Sequence, residues 1–456
     1  MIKFSIALLF IEINFFCIGL FSGSGYFVWS SLLSLIVYRV SISTIEYSQK
    51  HNYGISPIHL YKIFWYFLLV ISPLSNNIWK PPQFPLPFLP TNEQNNYGLL
   101  IITFAAFASA LGYRTSMNRI RVKSDYSLIN PSKNKTQPKI MILIGILGIG
   151  LLLSLTILSA GLKLSFASLT PDANSLPKFL SIILPPFLTH GLVLRMSNVP
   201  RPTRRDYLKF IILVGICTIP FTLYRLNRAS IFVPLLAIII PLLITKSKLS
   251  SFMVWLMLVL LGGFAVQGVG NFRAEQIVTK GGQISLENSG YRQGPSFKTV
   301  VFNYLNSSEY VGYGLQEINR KEFSVLTPLY SLASPLPKLS RLDERKIGGT
   351  GIYNRAIYQK NVYDQICSTV LEVFLSWGFV GLSFFFFVQG RVMQFIQRKY
   401  VENLQLYPRF FLAYVGFWIA FTPSISISVL TQIFFYNILF IVIFLGFFRF
   451  RERELY

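Results

Sequence analysis

Apolar runs of about twenty residues recur along the chain, separated by short polar and basic connections; that length matches a helix crossing the hydrocarbon of a bilayer. Helix is the default element for such runs, because lipid offers no partner to exposed backbone N–H and C=O groups. The pattern predicts twelve spans, at residues 4–21, 26–40, 60–74, 97–111, 140–160, 176–194, 210–224, 231–244, 252–269, 366–389, 410–425 and 430–448. One long hydrophilic stretch, residues 271–365, interrupts them between spans 9 and 10. The expected fold is therefore an all-α polytopic membrane protein in three parts. Residues 1–270 carry spans 1–9, residues 271–365 form a large loop, and residues 366–456 carry spans 10–12.

Smaller interruptions refine this outline. Glu12 and Asn14 break the first run, which fits a retained span better than a cleaved signal peptide. Five prolines between Trp79 and Pro90 fit an extended, stiff outer loop. Pro185 and Pro186 predict a break in span 6. Within the large loop, residues 296–320 read as mildly amphipathic helix. Residues 327–337 are apolar with three prolines and fit a segment on the membrane surface. Gly348 to Gly351 read as a flexible hinge.

Composition agrees with the pattern: 52% of residues are hydrophobic and only 13% charged. The net charge of +24 would suit nucleic acid, but the basic residues lie in short loops between apolar runs, which argues against that partner. Their placement orients the chain instead. With both termini in the cytoplasm, the inner segments carry 25 Lys/Arg against 6 Asp/Glu, and the short outer loops carry only Lys80, Lys163, Lys178, Arg225 and Arg228. This positive-inside bias places residues 271–365 outside the cytoplasm. Cys17, Cys217 and Cys367 lie in separate apolar runs, with neither metal-ligand nor disulfide spacing.

Candidate chemistry gathers near the outer face. Arg225 and Arg228 flank the tight turn between spans 7 and 8, against the prevailing charge bias. A guanidinium fork suits phosphate oxygens, although a headgroup-level arginine also snorkels without further role. Arg273 opens the large loop, and Arg292 and Arg355 follow within it; together they are candidates for holding a pyrophosphate. The loop holds eight of the 24 tyrosines, Tyr353 among them; their rings suit stacking on sugars and equally suit an interfacial aromatic belt. Asp364, Ser368, Glu372 and Ser376 recur every four residues and share one helical face. An acid such as Glu372 inside an apolar run requires a partner or a wet cavity, so it reads as a general base on a sugar hydroxyl or as an arginine partner. His190 and Glu12 read as packing or pairing groups within the bundle, and Gly378 and Gly381 as sites of close helix packing.

Two stretches resemble a known family. Tyr224-Arg-Leu-Asn-Arg-Ala-Ser-Ile-Phe-Val is similar to the arginine-bearing turn of bacterial Wzy-type polymerases of O-antigen and oligosaccharide repeat units. Leu371-Glu-Val-Phe-Leu-Ser-Trp-Gly-Phe-Val-Gly-Leu382 is similar to the Glu, aromatic, Gly, x, x, Gly pattern after that family's main outer loop. The proline-bearing residues 324–338 and the overall layout are family-like too. The resemblance implies an inner-membrane glycosyltransferase that elongates an undecaprenyl-pyrophosphate-linked glycan of O-antigen, capsule or exopolysaccharide, with neither metal nor other cofactor. It implies Arg225, Arg228 and Arg273 on the pyrophosphate and its leaving charge, with Glu372 as base or arginine partner. Arg273 and Glu372 are thus the catalytic candidates, and Arg292, Arg355 and Tyr353 remain substrate-binding candidates from their place in the loop. The partners it implies are lipid-linked oligosaccharide, membrane lipids, and flippase and chain-length regulator proteins. The chain departs from some members in one respect: no loop arginine is followed eleven residues later by glycine.

Rival readings predict other features. O-antigen ligases use an outer-loop histidine, and residues 271–365 contain none. A lipid-linked oligosaccharide flippase or exporter predicts charge along many spans; here intramembrane ionisable groups are sparse, mainly Glu12, Glu372 and His190.

Overall fold

The computed structural model describes residues 56–66, 68–69, 92–115, 136–160, 176–199, 203–225, 236–241, 311–312, 314–315, 318, 322–333, 348–358, 367–403 and 405–446. Regular structure among these residues is helical throughout. The helices are α1 (Pro57–Tyr66), α2 (Asn92–Thr115), α3 (Thr136–Ala160), α4 (Leu176–Ser197), α5 (Arg204–Arg225), α6 (Thr327–Ala333), α7 (Gly349–Tyr358), α8 (Thr369–Glu402), α9 (Leu406–Phe421) and α10 (Ile427–Gly446). Among the described residues three helical stretches are long and apolar enough to cross a membrane: Glu93–Thr115 of α2, Thr369–Glu402 and Ile427–Gly446. The chain thus reads as a membrane protein whose described residues fold as helices. The predicted spans 1, 2 and 9 and most of 271–365 lie outside the described residues.

Membrane helices gain little by hiding hydrocarbon from hydrocarbon, so small residues and interhelical hydrogen bonds carry much of their association. The α2–α8 pair is built this way. A Cβ added at Gly390 would overlap the Ser109 carbonyl oxygen, and one at Gly112 would overlap that of Phe387, so the two backbones touch. A polar chain crosses the same contact. The Tyr61 hydroxyl donates to Ser109 Oγ, which donates to Gln389 Oε1 at 2.9 Å. Gln389 Nε2 in turn donates to the Ile419 carbonyl at 2.7 Å, tying α1, α2, α8 and α9 together. The outward faces of α2 and α8 carry exposed Leu100, Phe104 and Phe107, and Phe379, Val380 and Phe384, the surface expected against lipid.

A second apolar core joins α3, α4, α5, α9 and α10. Gly145 and Gly148 of α3 leave room for Leu188 and Leu184 of α4. The prolines of α4 do not break it. The helix runs through Pro185 and Pro186, and the Thr189 hydroxyl donates to both proline carbonyls, at 2.8 and 3.0 Å. Both bonds go to the prolines' own carbonyls, one turn before Thr189, which adds acceptor contacts on that turn of the continuing helix.

The break falls in α8 instead. Gly378 has φ 64° and ψ −161°, a region essentially restricted to glycine, and it splits the helix into residues 369–377 and 379–402. A Cβ at Gly381 would strike Trp377, so that residue makes room for the indole folded back over the break. The two glycines expected to serve helix–helix packing therefore build a kink. The longer segment alone reaches about 36 Å at ~1.5 Å per residue, enough for a bilayer. Its cytoplasm-facing end, in the predicted orientation, closes tightly onto α9: Arg409 lies over the Tyr400 ring at 5.6 Å and donates from Nε to the Asn403 carbonyl at 2.6 Å.

Candidate functional site

The short segment 369–377 carries the acid singled out from the sequence. Ser368 caps it, with Oγ accepting from Leu371 N–H at 3.3 Å. Thr369 pins it to the α9–α10 connection, donating from N and from Oγ1 to the Ile425 carbonyl at 2.8 and 2.6 Å. That connection is a 3-10 turn, Thr422–Ser424, after which Ser426 caps α10 by accepting from Val429 N–H at 3.3 Å.

Three further elements, α6, α7 and α10, meet on Glu372, which is wholly buried. Ser331 of α6 donates its hydroxyl to Oε1 in a very short contact. Ile427 N–H, the first of α10, donates to Oε2 at 3.4 Å. Gly349, which opens α7, lies so close that a Cβ there would collide with the carboxyl carbon; its own N–H donates to Ser331 Oγ at 3.4 Å. Thr431 of α10 donates to the Ser331 carbonyl at 3.1 Å, fixing α6 to α10 a second time. The carboxylate thus sits at a helix N-terminus, where the backbone dipole favours negative charge, and it joins the 271–365 stretch to the membrane bundle.

Within 348–351, expected as a hinge, Gly349 instead opens α7 against this carboxyl and Gly351 lies in its first turn. Tyr353 of α7 is almost fully buried in the same apolar core as Leu371 and Val373, and Arg355 follows it half-buried. The described structure therefore brings Glu372 and Tyr353 onto neighbouring packed elements, with Arg355 two residues beyond Tyr353 on α7. Arg225 is the last residue of α5, with its side chain outside the described residues, as are Arg228, Arg273, Arg292 and Asp364 entirely. Ser368 is spent on the cap, and the Ser376 hydroxyl is buried without a hydrogen-bond partner among the described residues.

Sequence reasoning missed Ser331, Gly349 and the Ile427 N–H. A usable signal for Ser331 existed. Thr327, Pro328 and Ser331 share one face of α6 and are buried, while the apolar Leu326, Leu329 and Leu332 are exposed. A polar side turned inward announces a buried polar partner.

His190 gives the other buried ionisable site. Nδ1 lies 3.1 Å from the Tyr407 hydroxyl, and the ring meets Phe410, Phe411 and Tyr414 edge-on, with centroids 5.0 to 5.9 Å away. Nε2 has no hydrogen-bond partner among the described residues. This is the packing role expected for it. No cluster of three or more His, Cys, Asp or Glu suited to a metal occurs among the described residues.

No protein-family model, curated protein or solved structure matches this chain.

Proposed function

We propose that the protein is a multi-pass glycosyltransferase of the bacterial inner membrane that polymerises undecaprenyl-pyrophosphate-linked oligosaccharide repeat units into surface polysaccharide. In this reading the chain crosses the membrane twelve times, with cytoplasmic termini and residues 271–365 extracytoplasmic. The observation that carries it is the Glu372 junction: a buried carboxylate where segments of the hydrophilic stretch meet the membrane helices. The arginine-bearing turn and the late Glu-aromatic-Gly stretch support it from the sequence.

The roles follow from the chemistry of the transfer. Arg225, Arg228 and Arg273, joined by Arg292 and Arg355, hold the diphosphate and stabilise the charge that grows on it as the glycosyl bond breaks. Glu372 acts as general base. Ser331 already presents a hydroxyl to Oε1, the position that the acceptor sugar hydroxyl takes when α6 moves aside. The acceptor oxygen then bonds to the anomeric carbon, its proton passes to Glu372, and the diphosphate leaves with the electron pair of the broken C–O bond. Tyr353 packs behind the junction and fixes the start of α7.

Reconstitution with lipid-linked repeat units and gel analysis of chain length tests this. The wild-type chain is expected to give ladders and Arg228→Ala none. Passage of substrate between leaflets without ladders would replace the polymerase with a flippase.

A further inference from the structure

Helix α6 has its polarity reversed for a segment facing water. Its inward face supplies Thr327, Pro328 and Ser331, with the Ser331 hydroxyl on Glu372 and its carbonyl accepting from Thr431. Its outward face and the residues leading into it present Val325, Leu326, Leu329 and Leu332, between 44% and 67% exposed. Leu329 and Leu332 are three residues apart on α6 and share one face, and Val325 and Leu326 lie in the turn that leads into it. A helix in water shows the opposite arrangement; one at a bilayer surface turns its apolar face to the acyl chains.

Two further contacts tell which surface covers that face. The Trp377 indole N–H donates to the Val325 carbonyl at 2.8 Å, which fixes the start of α6 beside the Gly378 break. The lipid-facing row of α8 begins immediately beyond that break, with Phe379 and Val380, the latter 83% exposed. A tryptophan tied between the two is the residue expected at the headgroup level. The apolar face of α6 is thus continuous with the lipid face of a helix long enough to span.

We infer that residues 325–332 lie in one leaflet of the bilayer, with phospholipid as the partner of their apolar face, so that α6 is a lipid-anchored cover over Glu372. Acyl chains hold it from outside while the carboxylate holds it from inside. This inference goes beyond the enzymatic reading and stands without it.

Site-directed spin labelling of the full-length protein in nanodiscs tests the placement. Single cysteines replace Leu329, Leu332, Val380 or Glu322, with the native cysteines changed to alanine. Collision with oxygen and with a water-soluble nickel chelate is read at each label. Labels at 329 and 332 are expected to be oxygen-accessible and nickel-protected, like Val380, at a depth of about 5–10 Å below the headgroups. The exposed Glu322 is expected to report water. Nickel access at 329 and 332 equal to that at 322 would overturn the inference. So would protection from both reagents, which would mean that protein rather than lipid covers the face. Glu322→Cys and Val380→Cys, both at exposed positions, show whether the labelled protein is intact.

Discussion

Glu372 and His190 are both completely buried, and they are held in opposite ways. The carboxylate receives a hydroxyl and a helix-terminal N–H, sits against a glycine, and joins α6, α7, α8 and α10. The imidazole shares one hydrogen bond with the Tyr407 hydroxyl and meets four ring edges within a single apolar core, with Nε2 bonded to nothing among the described residues. A charged group in a membrane bundle requires donors, so sequence segments are drawn together around it. A histidine is accommodated by shape. The first kind of site organises architecture; the second fills space.

The largest expected effect comes from breaking the first site. Glu372→Ala strands the Ser331 hydroxyl and the Ile427 N–H and removes two charge-assisted hydrogen bonds, at a cost of about 3 kcal/mol or more. Unfolding in nanodiscs is expected to show it, and Glu372→Gln, which keeps shape and one acceptor, should recover much of the loss. An equal loss in both would mean that charge, not geometry, dominates. Next is the α2–α8 contact, where Gly390→Val must push backbones apart and is expected to cost about 1–3 kcal/mol. Gly378→Ala is expected to cost about 1–3 kcal/mol from the disallowed backbone alone, with a straightened α8 visible in interhelical distances.

His190→Phe tests the other half of the comparison. It keeps the ring packing and forfeits one hydrogen bond, so about 1 kcal/mol is expected. Retention of activity in that variant, against loss in Glu372→Ala, would confirm the contrast; equal loss would give His190 a chemical role.

The smallest effect is at the start of α5. Thr203 donates from N and Oγ1 to Asp206 at 2.8 and 2.6 Å, and Asp206 N–H returns a bond to Thr203 at 3.3 Å, a reciprocal cap. These bonds, first those from the Thr203 side chain and backbone and then the charges of Lys209 and Arg205, hold the Asp206 carboxyl below the ordinary range. A carboxyl lowered by folding contributes above its unfolded value and loses that contribution as pH falls through the folded one. The protection of the first-turn amides of α5, taken relative to their intrinsic exchange at each pH, is therefore expected to fall only below about pH 4, and to show no such fall in Asp206→Asn.

What was legible in the sequence follows the same divide. Long apolar runs such as 97–111 and 140–160 became helices α2 and α3, because lipid leaves the backbone no alternative. Glu372 stood out because an acid is costly in such a run. The fine structure was hidden for reasons of geometry. One helix runs on through Pro185 and Pro186, and Gly378 breaks one that read as continuous. Ser331 lies 41 positions from Glu372, and the Ile427 N–H 55, separations at which no local periodicity speaks.

Hydrogen exchange on the full-length protein in nanodiscs probes the Glu372 junction most directly, by comparing wild type with Glu372→Ala. The amides of 327–333 and 349–358 are expected to lose protection together, while those of 99–113 in α2 keep theirs. Unchanged protection in both loop helices would contradict the claim that this carboxylate fastens the hydrophilic stretch to the membrane bundle.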